Sequence, residues 1–205
     1  MMKKILVTGF EPFLDYKVNP TLEVMKALDG KQYGDYQVYG RPLVVDFTQS
    51  EKQLAAYLDE VQPDIIMPLG IAAGRFRITP EQIAINMKSG AKDNSGYQPI
   101  DEKIDEEGKD GIFTNLPIRS IVNKLNEEGF PAEISYTAGT YLCNNIMYRS
   151  MQYAEAHPGV LAGFIHIPAS FELSVAHSKL PGWPIESLIR AVDLCIEETV
   201  NRLMD

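Results

Sequence analysis

Cys143 is the residue best placed to do covalent chemistry in this chain. It follows an apolar run and the turn Ala138-Gly-Thr140, so it falls in the first turn of the next expected helix. Unpaired backbone N–H groups and the helix dipole favour an anion there, and with it a thiolate. The competing reading is a small buried hydrophobe, the usual role of an isolated cysteine. Cys195, on the apolar stripe of a later helix, fits that second reading and is assigned to the core. A thiolate nucleophile needs a general base, and the base needs a third group to orient it. Of the three histidines only His166, in Gly163-Phe-Ile-His-Ile-Pro168, falls at an expected strand terminus. His157, before Pro158, suits a helix end, and His177 has no obvious partner. Glu81 is the candidate orienter, because a carboxylate entering the apolar strand of Ile83 and Ile85 is costly unless partnered. A solvated glutamate at a strand start is the alternative. Asp46 and Asp64 read more naturally as capping or strand-start residues.

Those side chains must be positioned by the elements around them. Apolar runs predict strands over 5–7, 38–45, 64–69, 81–87, 132–137 and 160–167. Helices are expected over 47–61, 141–156 and 184–203, with two more opening at Asn19-Pro20 and at Pro117. Ile185, Leu188, Val192, Ile196 and Leu203 predict the buried stripe of the last helix. This alternation implies an α/β fold: a three-layer α/β/α sandwich with a mostly parallel sheet, as a single domain over 1–205. Sites in such sheets lie beyond the carboxyl ends of the strands. Segments 9–14, 70–77, 138–145 and 166–170 should therefore converge. Phe10 and Phe13 flank Glu11-Pro12 on the first of these, either covering a ligand or packing on 88–115. That stretch is long for a structureless connection, so it is expected to be functional or folded as a small hairpin. The acidic run 101–107 reads as a solvated turn.

With 205 residues, 45% of them hydrophobic and 23% charged, the chain can bury one sizeable core. A net charge of −9 argues against nucleic acid or an anionic membrane surface as partner. No stretch approaches the roughly 18 uncharged apolar residues of a membrane span. The apolar run after Lys3-Lys4 stops at Glu11-Pro12 without a small-residue cleavage site, so a cytoplasmic location is expected. The two cysteines are then expected as free thiols. No Gly-x-Gly-x-x-Gly, Walker or zinc-ligand spacing is present, so no metal or cofactor is expected.

Several motifs together resemble one family. They are Thr8-Gly-Phe-Glu-Pro-Phe13 with Asn19-Pro20, Gly74-Arg75 followed by Ile78-Thr-Pro-Glu-Gln-Ile-Ala-Ile-Asn86, Gln98-Pro-Ile-Asp101, Ala138-Gly-Thr-Tyr-Leu-Cys-Asn144 and Gly163-Phe-Ile-His-Ile-Pro168. In order, and over essentially the whole chain, they resemble pyroglutamyl peptidase type I, also called pyrrolidone carboxyl peptidase. The resemblance implies a cytosolic cysteine peptidase of α/β/α fold that removes an N-terminal pyroglutamyl residue from peptides. It implies Cys143 as nucleophile, His166 as general base and acid, and Glu81 as the residue orienting the imidazole. Phe10 and Phe13 would pack on the lactam ring, with Ile71, Tyr141 and Leu142 also binding substrate. No cofactor is implied, and a homo-oligomer, dimer or tetramer, is. The chain departs from the family at Ile71, commonly glutamine, and at Ala73, commonly glycine. Its segment Met87-Lys-Ser-Gly-Ala-Lys-Asp-Asn94 is one residue shorter and lacks the paired acids and the arginine. Two alternatives stand beside this reading. One is a non-catalytic binder of a lactam or peptide N-terminus. The other is a phosphorylase- or nucleotide-type enzyme, which the fold class permits but the absence of a phosphate-cradling loop disfavours.

Overall fold

β1 (Lys3–Phe10) is buried from Ile5 onward, as a strand with neighbours on both edges and helices on both faces must be. The computed structural model describes residues 2–13 and 16–204. After β1 the chain forms α1 (Pro20–Leu28), β2 (Gln32–Tyr33), β3 (Tyr36–Leu43), α2 (Phe47–Val61) and β4 (Ile65–Ile71). Next come β5 (Thr79–Pro80), β6 (Ile83–Ile85), β7 (Gly111–Phe113), α3 (Ile118–Glu127) and α4 (Leu142–Ala156). The remainder is β8 (Leu161–Ala162), β9 (Ile165–Ile167), β10 (Ala169–Ser170), α5 (Phe171–Ala176), β11 (Gly182–Trp183) and α6 (Ile185–Met204).

The main sheet runs β2-β3-β1-β4-β9-β5, with β8 also paired to β4. Its interior pairs are parallel, and only the short edge strands β2 and β5 run antiparallel. Alternation along each strand divides the core into two layers. Ile5, Val7, Ile65, Met67 and Leu69 face α1, α3 and α6; Leu6, Phe10 and Ile66 face α2 and α4. The helices start where short polar side chains replace missing backbone partners. The Asn19 side chain accepts the Thr21 N–H ahead of Pro20, and Asp46 accepts the Gln49 N–H. The α/β/α layering is thus the one the periodicity predicts. Among the described residues no helix is long and apolar enough to cross a membrane.

Four expected elements differ. The run 81–87 is not one strand: β5 pairs with β9, and β6 leaves the sheet to pair with β7. Residues 132–137 form no strand. Their contribution is the isolated bridges Ile78↔Ala132 and Glu81↔Ser135, because 78–81 offers them too short a partner. The run 160–167 divides into β8 and β9 about Gly163, where a Cβ would lie 2.4 Å from the Thr114 hydroxyl. Finally, Leu203 is 42% exposed, so the stripe of α6 ends earlier, with Ala191, Cys195 and Thr199 supplementing Leu188, Val192 and Ile196. Leu14, at the end of the first converging segment, lies outside the described residues.

The stretch 88–115 has little regular structure apart from β7 and is tied down by isolated backbone bonds, such as the Lys88↔Glu102 bridge, and by side chains. Asn86 Oδ1 accepts the N–H groups of Ile104 and Asp105 at 3.0 and 2.9 Å. Its Nδ2 donates to the carbonyls of Asp105 and Gly108 at 2.7 and 3.3 Å. One carboxamide therefore closes a long excursion at its base. Asn86→Ala orphans several of these groups, and the expected cost is about 1–3 kcal/mol. Urea denaturation would measure it, and limited proteolysis should then cut first within 87–110.

Candidate active site

β9 lies between β4 and β5, with His166 in register with Gly70 on one side and Thr79 on the other. Its neighbours Ile165 and Ile167 face the α1/α3/α6 layer, so alternation directs the imidazole to the α4 side. His166 is thus the middle residue of β9, one residue short of the terminus the sequence suggested. Glu81 follows β5. Its N–H donates to the Phe164 carbonyl at 2.9 Å, and the adjacent Gln82 N–H donates to Ser135 at 2.7 Å. Held on both sides, the Glu81 side chain is fully buried, in contrast to a solvated strand-start glutamate. His166 Nδ1–H donates to Glu81 Oε1 at 2.7 Å.

Cys143 is the second residue of α4, whose start Tyr141 provides no side-chain cap. The N–H groups of this first turn therefore surround the thiol without intrahelical partners. The sulfur stands beside the imidazole, close enough to act on its charge. Nucleophile, imidazole and carboxylate are thereby brought into one line. Burial alone would lower the pKa of His166. The Cys143 sulfur and the Glu81 carboxylate outweigh it and raise the imidazole to about 9. Gly70 makes this approach possible, since a Cβ there would lie 2.8 Å from Cys143 Sγ and 2.6 Å from the Phe164 ring.

Beside the thiol, Phe10, Phe13, Ile71, Tyr141 and Leu142 line a narrow depression. All five expected substrate-binding residues therefore meet at one place. Asn19 and Val45, which sequence reasoning did not nominate for the site, complete the wall. Asn19 could have been found from its place in the Asn19-Pro20 motif. Its Oδ1 accepts from Thr21 N and Oγ1, and its Nδ2 donates to the Glu11 carbonyl at 3.2 Å. Apart from the Cys143 sulfur, the described residues lining the depression include no Asp, Glu, Lys, Arg or His.

The segment 87–94 supports the wall from behind. Ser89 N–H donates to the Thr140 carbonyl at 2.8 Å, and Thr140 Oγ1 returns a bond to the Ser89 carbonyl at 2.9 Å. Gly90, at φ 152°, lies against the Tyr141 ring, 3.0 Å from where its Cβ would be. The Tyr141 hydroxyl donates to the Lys92 carbonyl at 3.2 Å, and burial raises that phenol to about 12. Asn144 Oδ1 accepts the Ile85 N–H while Nδ2 donates to the Ile85 and Met87 carbonyls.

Arg75 is the participant that sequence reasoning left without a role. Nη1 donates to Glu81 Oε1 and to Thr79 Oγ1, both at 2.9 Å. Its only sequence signal was inclusion in the Gly74-Arg75 motif. The remaining candidates stand apart. Cys195 is fully buried in the core, and burial pushes its thiol pKa up. His157 stacks on Tyr153 at 3.9 Å at the end of α4, and His177 meets the Tyr16 ring edge-on at 4.9 Å. Asp46 caps α2, and Asp64 accepts the Lys4 N–H at 2.8 Å, as expected. Among the described residues no cluster of His, Cys, Asp and Glu is arranged to hold a metal ion.

A thiol at a helix start, beside a buried imidazole–carboxylate pair at a parallel sheet, is the arrangement of a cysteine hydrolase. Comparison with known proteins narrows the class. The model of the pyroglutamyl peptidase family matches residues 3–202. A pyrrolidone-carboxylate peptidase of Lysinibacillus sphaericus is 63% identical, over 98% of both chains. Among solved structures, a mutant pyrrolidone carboxyl peptidase of Pyrococcus furiosus is similar at 39% identity, with a TM-score of 0.95 over 98% of this chain and 99% of that one. The pyroglutamyl peptidase I of Bacillus amyloliquefaciens is 37% identical, with a TM-score of 0.92 over 96% of each. This chain belongs to the pyroglutamyl peptidase family.

Gly70→Ala tests the close approach of sheet and thiol. The added methyl must displace Phe164 or Cys143, which costs about 1–3 kcal/mol of stability. Misplacing the nucleophile by about 1 Å should lower turnover on the order of 100-fold. Thermal unfolding and steady-state kinetics would separate the two effects.

Proposed function

We propose that the chain is a cysteine peptidase that hydrolyses the N-terminal pyroglutamyl residue from peptides, with Cys143, His166 and Glu81 as its catalytic groups. The observation that carries this reading is the Cys143 thiol beside the hydrogen-bonded His166–Glu81 pair, at the edge of a depression whose other described lining residues include no Asp, Glu, Lys, Arg or His. The 5-oxoproline ring is flat and uncharged. Apolar walls from Phe10, Phe13, Ile71, Tyr141 and Leu142 suit it. Free N-terminal glutamate would bring an ammonium and a carboxylate into the same space, where no partner offsets their desolvation.

The reaction follows from these positions. Cys143 thiolate attacks the pyroglutamyl carbonyl carbon, and the resulting oxyanion is held by backbone N–H groups at the start of α4. The His166 imidazolium gives its proton to the peptide nitrogen as the C–N bond breaks, leaving a thioester on Sγ. Neutral His166 then takes a proton from water, whose oxygen attacks the thioester. Free pyroglutamate leaves, and the thiolate–imidazolium pair is restored. Glu81 holds Nδ1–H throughout, so the other ring nitrogen always faces the sulfur. Ile71 and the short 87–94 segment sit where a change would alter affinity before chemistry, since neither touches the imidazole–carboxylate pair.

Residues 1–205 act as one domain, supported by a main sheet whose strands span β1 to β9, with α6 packed on it. A homo-oligomer is supported by exposed large apolar side chains such as Phe113, Tyr136 and Val175, and light scattering would measure its size. A cytoplasmic setting fits a thiolate that oxidation would disable.

Release of a fluorescent amine from pyroglutamyl-aminocoumarin, under reducing agent, tests the activity. Turnover should be abolished by prior iodoacetamide and by Cys143→Ala, and absent with a prolyl analogue. Well-folded protein that binds pyroglutamate without turning it over would defeat the peptidase reading. The raised imidazole sets the pH dependence: kcat/KM should hold through neutrality and fall as pH rises through about 9, when the imidazolium loses its proton. Glu81→Gln removes one of the anions raising it, so this alkaline limb should move to lower pH and turnover should fall roughly 100-fold or more.

A further inference from the structure

Glu81 and His166 form a buried pair whose charge balance changes during the proposed reaction. In the resting site the carboxylate faces an imidazolium. Once His166 has protonated the leaving amine, the carboxylate faces a neutral ring. A fully buried carboxylate without a compensating cation is costly, and it then captures a proton or drives one onto its neighbour. The site contains one other cation in contact with Glu81, the guanidinium of Arg75.

The geometry of that contact is specific. Glu81 Oε1 accepts two bonds, from His166 Nδ1 at 2.7 Å and from Arg75 Nη1 at 2.9 Å. Glu81 Oε2 is buried and accepts none among the described residues. The carboxylate is therefore oriented through one oxygen, and rotation about its terminal bond is opposed by the Arg75 contact. Arg75 is itself fixed by the buried Thr79 hydroxyl at 2.9 Å, and Nη2 reaches toward the Thr137 carbonyl at 3.5 Å. Its side chain is 37% exposed, so the guanidinium bridges solvent and a carboxylate that solvent does not reach. The groups around the pair come from four places: Cys143 from α4, Arg75 from the turn after β4, Thr79 from β5 and the Ser135 backbone beyond. Arg77, the nearest cation in sequence, is engaged by Glu133.

We infer that Arg75 is a positioning residue of this reaction: it fixes Oε1 of Glu81 and offsets that carboxylate's charge while His166 is neutral. This rests on the peptidase reading above. It assigns to Arg75 a part in the second half of the cycle, when the neutral imidazole must accept a proton from water. Without the guanidinium the His166–Glu81 pair holds its proton more tightly, and the base is withheld until higher pH. Removing a cation favours the protonated form of neighbouring acids, so both limbs of the pH profile should respond in the same direction.

The test compares wild type, Arg75→Gln and Arg75→Lys with pyroglutamyl-aminocoumarin across pH. Turnover by the wild-type protein establishes the underlying reading, whose failure would show there and not in the variants. In Arg75→Gln, both limbs should move to higher pH by about half a unit or more, the size expected for a partly exposed charge at this range. Its kcat near neutrality should fall roughly tenfold, with KM little changed because Arg75 does not line the depression. Arg75→Lys keeps the charge and should restore the limbs. Alkylation of Cys143 by iodoacetamide across the same pH range gives a readout independent of turnover, and its profile should move upward in Arg75→Gln as well. A uniform loss of activity with unmoved limbs would make Arg75 a structural residue only and overturn the inference. Limbs that move to lower pH, or Arg75→Gln indistinguishable from wild type, would overturn it too.

Discussion

A fully buried carboxylate sets the terms for the rest of this structure. Glu81 has no access to water, so its charge must be answered by protein groups, and two of them are His166 and Arg75. Satisfying that requirement fixes the neighbouring geometry. β5 must lie against β9 so that the carboxylate reaches the imidazole, and the turn after β4 must fold back so that the guanidinium reaches the carboxylate. The imidazole, oriented on one side, then presents its free edge to Cys143 at the start of α4. The sheet brings these elements together because β4 and β9 are adjacent and parallel, with Gly70 leaving space for the sulfur.

The substrate side of the site follows an opposite logic. The depression beside Cys143 has aromatic and aliphatic walls, and the one carboxamide on it, Asn19, is engaged in capping α1. Charge is concentrated where protons move and excluded where the acyl group binds. That division explains how a lactam can be chosen over the open amino acid without any counter-charge. The segment 87–94 contributes through the backing it gives Tyr141 and Thr140.

Much of this was legible in the sequence, for identifiable reasons. Cys143 was found because a turn followed by an amphipathic helix fixes a first-turn position regardless of what packs on it. His166 was found because one polar residue stood in an otherwise apolar strand, and Glu81 because its burial would be costly without a partner. The layering of the sheet followed from central strands with apolar runs, Ile5–Val7 in β1 and Ile65–Leu69 in β4. Other features depended on contacts that periodicity does not encode. The run 132–137 has strand-like composition but borders only a few residues of extended chain, so it forms isolated bridges. The long excursion between β6 and β7 is closed by the Asn86 side chain, whose partners lie about 20 residues away in sequence. Arg75 belongs to a turn, and only the folded turn shows that its guanidinium points at Glu81. Leu203 continues the helical stripe in sequence but projects beyond the layer it would pack on.

The central claim is that Cys143, and no other group, carries the acyl intermediate. Acid quenching during turnover of a pyroglutamyl ester, followed by peptide mapping in a mass spectrometer, addresses it directly. The account predicts a pyroglutamyl thioester on the peptide containing Cys143, absent from the peptide containing Cys195. A label elsewhere, or turnover at full rate with Cys143 unmodified throughout, would contradict it.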